Sequence, residues 1–204
     1  MDAAFIERVK RDVDYQRERK APPEGFPEFP PIPGGRYTDP AFLDLEDAAL
    51  WKRSWLYACH TDELPEAGSF VLFRKTGSPI LIVRGKDDEI RAFYNTCRHR
   101  GGPLVKEACG KTRGGFVCGY HGWTYDLEGK LINLRDRRDF VGLEFDEHRL
   151  VSVRSERLGN WVFINEDPNA EPLLDHLGPI PEHLAQFDLE TVRHVHSASY
   201  DVAC

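Results

Sequence analysis

The 204-residue sequence has no long hydrophobic run and no excess of positive charge. Its longest unbroken aliphatic stretch, at residues 80–83, is far shorter than the roughly 20 residues of a transmembrane helix, which excludes a membrane-spanning protein. Asp and Glu outnumber Lys and Arg by 34 to 27, and the resulting net charge of −7 has the wrong sign for a nucleic-acid partner. The first ten residues lack the apolar core of a secretory signal, so we expect a cytoplasmic protein.

Cysteine is scarce and irregularly spaced. An odd number of cysteines spread over the chain does not form the disulfide framework of small secreted domains. In a cytoplasmic protein such residues are free thiols or metal ligands, and they have to be considered together with the eight histidines. The five positions are Cys59, Cys97, Cys109, Cys118 and Cys204.

Residues 1–54 predict a helical arm followed by a proline-rich connector. Six prolines between residues 21 and 35 exclude a regular helix or a central strand there. Asp39 and Pro40 then supply an N-cap and a first helical position, which predicts a helix over residues 40–55. The arm itself is predicted from four apolar residues at helical spacing: Phe5, Ile6, Val9 and Val13.

Residues 55–165 predict a mainly β domain, an antiparallel sandwich or small barrel. Residues 166–204 begin with a proline-rich linker, and the alternation from Thr191 onward predicts a strand that runs to Cys204. A strand at the chain terminus has no partner sequence, which indicates that the chain stops inside a domain. Short apolar runs between turn signals predict nine strands in the β domain, at residues 56–60, 69–74, 80–84, 90–94, 115–118, 123–127, 130–133, 150–154 and 161–165.

Two loops combine a cysteine with a histidine. One reads Cys97-Arg-His99 and the other Cys118-Gly-Tyr-His121, and glycines surround both loops. Each loop offers one thiolate and one imidazole, so two such loops can bind a single inorganic centre from two sides. Glycines allow backbone N–H groups to approach whatever lies between the loops, as bridging sulfides would require.

Three interpretations of these four residues compete. A structural zinc site uses the same ligand set, but its cysteines usually pair on one knuckle and its histidines on one helix. A mixed pair on each loop favours a two-iron cluster in which the cysteines bind one iron and the histidines the other. The third interpretation, ordinary core or loop residues, requires both pairs to occur by accident.

The two loops resemble those of a known family. The segments Asn95-Thr-Cys97-Arg-His99-Arg-Gly-Gly-Pro103 and Cys118-Gly-Tyr-His121-Gly-Trp-Thr-Tyr-Asp126 are similar to the cluster-binding loops of Rieske non-haem iron oxygenases, the ring-hydroxylating type of α subunit. The resemblance extends from about Trp51 to the end of the chain. The Rieske protein of respiratory complexes is also similar, but Gly102 and Tyr120 stand here where that protein has an additional cysteine pair. The oxygenase branch is therefore favoured.

The resemblance implies a Rieske-type 2Fe-2S cluster, with Cys97 and Cys118 on one iron and His99 and His121 on the other. It also implies one-electron transfer, from a ferredoxin or a flavin-dependent reductase to a mononuclear iron in a later catalytic domain. The family's motif for that iron has an acidic residue three positions before a histidine, and none of the eight histidines here has one. We therefore expect no catalytic residue in this chain, and we interpret residues 166–204 as a linker and the first strand of a truncated α+β catalytic domain.

The function implied by the resemblance is the electron-transfer part of an aromatic ring-hydroxylating oxygenase, either a monooxygenase or a dioxygenase. Members of the family pass the electron to a neighbouring subunit, which implies a homotrimer. Two alternatives from other classes remain open. One is a stand-alone Rieske electron carrier, and the other is a zinc-stabilised interaction domain.

Several residues beside the predicted ligands are candidates for support or docking. Trp123 follows the second loop directly, where core packing competes with a role in shielding the cluster. Arg98 and Arg100 flank His99, and between residues 95 and 113 five basic residues oppose a single acidic one. We expect this basic patch to dock an acidic electron donor by electrostatic steering.

Overall fold

The computed structural model of the protein describes residues 2–202, and the chain divides after Asp39 into two compact units. The first unit contains helix α1 (Ala3–Glu18) and the short helix α2 (Gly35–Thr38). The side chain of Asp2 caps α1 by accepting a hydrogen bond from the N–H of Ala4 (3.1 Å). The predicted arm helix is therefore present, and its four apolar residues are exposed.

The second unit is built on two antiparallel sheets, which confirms the mainly β fold. Its strands are β1 (Leu56–His60), β2 (Ser69–Phe73), β3 (Ile80–Arg84), β4 (Ile90–Tyr94), β5 (Cys109–Lys111), β6 (Phe116–Val117), β7 (Thr124–Tyr125), β8 (Leu131–Asn133), β9 (Ser152–Leu158) and β10 (Trp161–Asn165). The larger sheet has the order β1-β10-β9-β4-β3-β2-β5, and the smaller sheet has the order β6-β7-β8. Each of the nine predicted strands corresponds to an observed one.

Short helices connect and flank the sheets of the second unit. They are α3 (Pro40–Ala49), α4 (Leu173–Leu177) and α5 (Ile180–Leu184), together with 3-10 turns at Trp51–Arg53, Thr61–Glu63, Arg137–Asp139, Phe145–His148 and Ala185–Phe187. The helix predicted to reach residue 55 ends at Ala49, and the 3-10 turn Trp51–Arg53 follows it. The backbone of Ser54 is extended, and Trp55 is buried. Within the described residues, no helix is long and apolar enough to cross a membrane.

Strand β3 shows how the larger sheet separates two cores. Its side chains alternate, so Ile80 and Ile82 enter one core while Leu81 and Val83 enter the other. We call the first the aliphatic core, because isoleucine and valine make up most of it. Cys59 and Val162 also belong to it. We call the second the loop-side core, because it contains the cysteines of both Cys-His loops.

Two features of the second unit differ from the sequence-based expectations. Strand β5 was not predicted, because Cys-Gly-Lys has no apolar alternation to mark it. The strand predicted from Thr191 to Cys204 is wrong for residues 192–202, which have an alternating sequence but pair with no strand among the described residues. Asp62 binds this segment instead, accepting hydrogen bonds from the guanidinium of Arg193 (2.8 Å) and the N–H of His194 (3.1 Å). Cys204 lies outside the described residues.

Candidate functional site

The two Cys-His loops form the same tight turn. In the first loop, the N–H of Cys97 donates to the C=O of Gly102 (2.8 Å), and the N–H of Gly101 donates to the C=O of Cys97 (3.0 Å). The second loop repeats both bonds at the same offsets from Cys118, again at 2.8 and 3.0 Å. The glycine four residues after each cysteine has a φ of 71°, a left-handed conformation that glycine adopts without strain. This turn explains why both loops require a glycine there.

The turns bring the four predicted ligands together as two pairs. Cys97 and Cys118 belong to the same buried cluster, and each residue is 3% exposed. The rings of His99 and His121 are half-buried, with centroids 4.7 Å apart and planes inclined at 68°. One side of the site therefore presents sulfur from the core, and the other presents nitrogen near the surface.

Tyr125 supports the sulfur side of the site from strand β7. Its hydroxyl accepts a hydrogen bond from the N–H of Arg98 (3.0 Å) and lies 3.4 Å from the Sγ of Cys97. Since that oxygen already accepts from a backbone N–H, its own proton is available to the sulfur. Burial raises the pKa of Tyr125, which keeps the phenol protonated, and burial likewise raises the pKa of the Cys97 thiol.

Asn95 fixes the chain that leaves the first loop. Its buried side chain donates to the C=O of Val105 (2.8 Å) and accepts from the N–H groups of Leu104 (3.0 Å) and Val105 (3.1 Å). Sequence analysis gave no role to Asn95 or to Tyr125. Both partners of Asn95 lie nine or more residues along the chain, so only the fold reveals these contacts.

Aromatic rings hold the two imidazoles. The indole of Trp123 stacks on His99 with centroids 5.0 Å apart and planes inclined at 7°, and the ring of Tyr120 lies 4.0 Å from that of His121. Desolvation lowers the pKa of His99, and the neighbouring His121 and Arg100 lower it further. The neutral imidazole that these effects favour is the form that binds a metal.

The predicted basic patch is smaller in the structure than in the sequence. The side chains of Arg98 and Arg100 are exposed beside the loops. Lys111, however, lies on β5 and forms an ion pair with Glu66 (2.7 Å), which neutralises its charge locally. Next to the two imidazoles, a cavity of about 370 Å³ carries charges of both signs, and it is lined by His99, Tyr120, His121, Arg135, Asp136, Asp139 and Phe140.

The donor set fits a 2Fe-2S cluster better than ordinary packing. Two buried sulfurs and two imidazoles in separate pairs match the asymmetric ligation of such a cluster. A Cβ added at Gly102 would lie 3.6 Å from the Sγ of Cys118, so glycine keeps the space beside that sulfur open. Within residues 2–202, no three His, Cys, Asp or Glu side chains are grouped around a position for one metal ion. Cys109 is exposed on β5 and takes no part in this arrangement.

Comparison with known proteins identifies the family of the second unit. Residues 54–159, just over half of the chain, match the family described as the Rieske 2Fe-2S domain. The chain belongs to this Rieske family. The Rieske domain thus includes every strand from β1 to β9 and both loops.

The relatives of this Rieske chain are oxygenase subunits. The carnitine monooxygenase oxygenase subunit of Escherichia coli is 38% identical over 146 residues, which are 72% of this chain and 39% of that protein. The biphenyl 2,3-dioxygenase subunit alpha of Rhodococcus jostii is 36% identical over 143 residues, which are 70% of this chain and 31% of that protein. The resemblance to Rieske oxygenase α subunits is confirmed, and the chain spans less than half the length of these relatives.

A solved structure shares the fold of the Rieske chain. It is a quaternary ammonium Rieske monooxygenase, described as giving insights into carnitine oxidation by gut microbiota and inter-subunit electron transfer. The two chains superpose with a TM-score of 0.70 at 34% identity, covering 74% of this chain and 41% of the other.

Proposed function

We propose that the chain is the electron-transfer part of a Rieske oxygenase, with Cys97 and Cys118 binding one iron of a 2Fe-2S cluster and His99 and His121 binding the other. The observation that carries this proposal is the pair of matching turns, which present a buried sulfur pair and an outward imidazole pair. When bound, the cluster would accept and release one electron at a time. Two neutral imidazoles in place of two thiolates suit the higher potentials of Rieske centres.

The chain's own residues prepare the site for this role. The hydroxyl of Tyr125 can donate a hydrogen bond to the sulfur of Cys97, which favours the more negative, reduced state of a bound cluster. Trp123 covers one face of His99 and is itself 2% exposed, so water is excluded from that side. The edge of the site that remains open is formed by the imidazoles, which favours electron exchange with a partner on that side.

The structure favours an electron acceptor on a neighbouring copy. At one end of β9, Ser152 pairs with Phe93, close to where the first loop leaves β4. The other end is Leu158, and a strand of seven residues spans about 20 Å. Beyond that far end, the side chain of Asn160 donates to the C=O of Glu190 (2.6 Å). The chain after Glu190 is therefore held at the end of the sheet opposite the ligand loops.

We infer from this separation that the cluster serves a mononuclear iron in a second subunit, within a homotrimer. An acceptor domain that continues from the far end of the sheet begins about 20 Å from its own cluster. A neighbouring copy can approach the imidazoles directly. The related quaternary ammonium monooxygenase is described in terms of inter-subunit electron transfer, which supports the same arrangement here.

The substrate class depends on residues outside the Rieske domain. Sequence analysis predicted aromatic ring hydroxylation, and the biphenyl dioxygenase relative is consistent with it. The carnitine monooxygenase relative matches a segment of similar length at slightly higher identity. Both substrate classes therefore share this electron-transfer domain, and we propose an oxygenase without choosing between them.

Thiolate ligands must stay reduced to bind iron, so we propose that the protein is cytoplasmic.

Metal analysis and electron paramagnetic resonance test the proposed cluster. We expect the purified chain, reconstituted with iron and sulfide anaerobically, to contain two irons and two sulfides and to be coloured. After dithionite reduction it should give the signal of a one-electron-reduced 2Fe-2S cluster with nitrogen couplings from two imidazoles. A colourless, zinc-loaded protein with no such signal would contradict the proposal.

The electron donor is proposed to be a ferredoxin or a flavin-dependent reductase that docks near Arg98 and Arg100. Because charge attraction between exposed groups is screened over about 8 Å at physiological ionic strength, cluster reduction should slow as salt is added. Stopped-flow measurement of reduction by the cognate donor checks this. The double change Arg98→Gln and Arg100→Gln should reduce the salt dependence, whereas Lys111→Gln should leave it unchanged. Equal effects of both changes would place the donor elsewhere.

A further inference from the structure

Trp123 has an unexplained polar atom. Its indole is 2% exposed, and its Nε1 is a buried donor for which the described residues contain no hydrogen-bond partner. A buried donor without a partner loses its hydrogen bond to water and gains nothing in return, and buried donors in folded proteins are nearly always paired. Nothing in the role of Trp123 as a packing residue accounts for this nitrogen.

The face of the same indole determines the plane of His99. The two rings are almost parallel, and Phe140 meets both of them edge-on, at 5.7 Å from Trp123 and 5.8 Å from His99. Any rotation of the indole therefore moves the imidazole that stacks on it. The orientation of His99 depends on what holds Trp123.

His148, at the end of the 3-10 turn Phe145–His148, is a further ring beside Trp123. Its Nδ1 is 2.9 Å from the C=O of Glu144. A carbonyl oxygen can only accept, so Nδ1 carries the proton, and in the neutral ring Nε2 is an acceptor. The imidazole lies at 68° to the indole with centroids 5.6 Å apart. An acceptor and an unpaired donor thus occur on neighbouring rings.

We propose that His148 is a positioning residue that acts on His99 through Trp123. The Nε1–H of Trp123 donates to the Nε2 of His148, at the usual distance of about 3 Å, once the imidazole turns about its bond to Glu144. The backbone of the 3-10 turn is then connected to His99 through two rings. This proposal rests on the proposed function in one respect, the role of His99 as an iron ligand. Hydrogen-bonded outer residues commonly orient metal ligands in this way.

Two substitutions of His148 separate its hydrogen bond from its packing. In His148→Gln, the amide can donate to the C=O of Glu144 and accept from the indole, so both bonds are preserved. In His148→Phe, a ring of similar shape remains but both polar atoms are lost. His148→Leu replaces the Phe variant if that variant does not fold. Trp123→Phe identifies the signal of this indole among the four tryptophans.

Ultraviolet resonance Raman spectroscopy of the indole N–H gives the first readout, and it does not require a cluster. Wild type and His148→Gln should show Trp123 hydrogen-bonded, and His148→Phe should show it free. In the reconstituted protein, pulsed electron paramagnetic resonance should find a broadened nitrogen coupling for one imidazole in His148→Phe and the wild-type coupling in His148→Gln. A Trp123 band that is the same in wild type and His148→Phe would overturn the proposal. Failure of the wild type to form a cluster would instead overturn the proposed function.

Discussion

The two cores of the larger sheet use buried cysteine in different ways. In the aliphatic core, Cys59 lies on β1 among isoleucines and valines, and burial raises its pKa to about 12. In the loop-side core, Cys97 and Cys118 lie in turns closed by backbone hydrogen bonds, and the hydroxyl of Tyr125 reaches the sulfur of Cys97. All three residues are almost fully buried. Burial therefore does not distinguish Cys59 from the two loop cysteines, whereas the turn and its polar contacts do.

Replacing one buried cysteine by serine in each core should give the largest difference in cluster content. We expect Cys118→Ser to abolish the cluster, because a serine hydroxyl is a poor ligand for iron that needs thiolate. Cys59→Ser should retain the full iron and sulfide content. Visible absorption and iron analysis after reconstitution check both. Loss of the cluster in Cys59→Ser, with the fold intact by circular dichroism, would break the comparison.

Alkaline pH should affect the aliphatic core through Cys59. Its thiol has a pKa of about 12 in the folded protein against a usual value of 9.0. Between these values the unfolded chain loses the proton and the folded chain keeps it, so stability is lost as the pH rises. At pH 10 we expect this thiol alone to lower the free energy of unfolding by about 1.4 kcal/mol relative to pH 8.

Urea unfolding at the two pH values measures this difference. Cys59→Ala removes this thiol and should make the decrease between pH 8 and pH 10 smaller by about that amount, although the cavity it creates lowers stability at both pH values. The raised pKa values of Cys97 and Tyr125 account for a further part of the decrease, which the variant keeps. An equally steep decrease in Cys59→Ala would show that another group is responsible.

The hydroxyl of Tyr125 should contribute to the reduction potential of the proposed 2Fe-2S cluster. We expect Tyr125→Phe to keep the cluster but lower its midpoint potential by about 60 mV, because one hydrogen bond worth about a factor of ten in the redox equilibrium is lost. Tyr94→Phe is the matched control, since the hydroxyl of Tyr94 donates to Glu166 (2.9 Å). Spectroelectrochemical titration of the three proteins should show a shift in Tyr125→Phe alone.

The smallest effect concerns the turn rather than the sulfur. Gly122→Ala places a Cβ 3.7 Å from its nearest neighbour, the Cβ of Arg135, so there is no clash and only the left-handed backbone is strained. We expect a loss of about 1 kcal/mol in the free energy of unfolding. Gly119→Ala, with nothing within 4 Å of the added Cβ and no positive φ, should be close to neutral. Equal values in urea unfolding would mean that the turn tolerates a side chain.

The grouping of the four Cys and His side chains could be predicted from the sequence because each loop is a short local motif. The structure brings the two loops together, and the assignment of these side chains as ligands of a two-iron cluster stays a prediction. The strands were predictable for a similar reason, since apolar runs and turn residues mark them within a few positions. Strand β5 has neither signal, and it forms because β2 offers an edge beside it.

Contacts that join distant parts of the chain could not be predicted. His148 follows Trp123 by many residues, and no pattern connects them before the 3-10 turn brings their rings together. The predicted strand beyond Thr191 is wrong because its local pattern is present but no strand among the described residues pairs with it. Its alternation satisfies the local rule for a strand, but a strand also needs a partner for its backbone groups. Asp62 binds that segment through a charge and a backbone N–H, which alternation does not reveal.

The matching turns around Cys97 and Cys118 have a consequence for which positions of the two loops can vary. Each turn is closed by hydrogen bonds between backbone groups, so its shape does not depend on the side chains that project from it. Arg98 and Arg100 are exposed beside the first turn. Their side chains can therefore be exchanged to suit a different partner while the sulfur pair beneath keeps its arrangement.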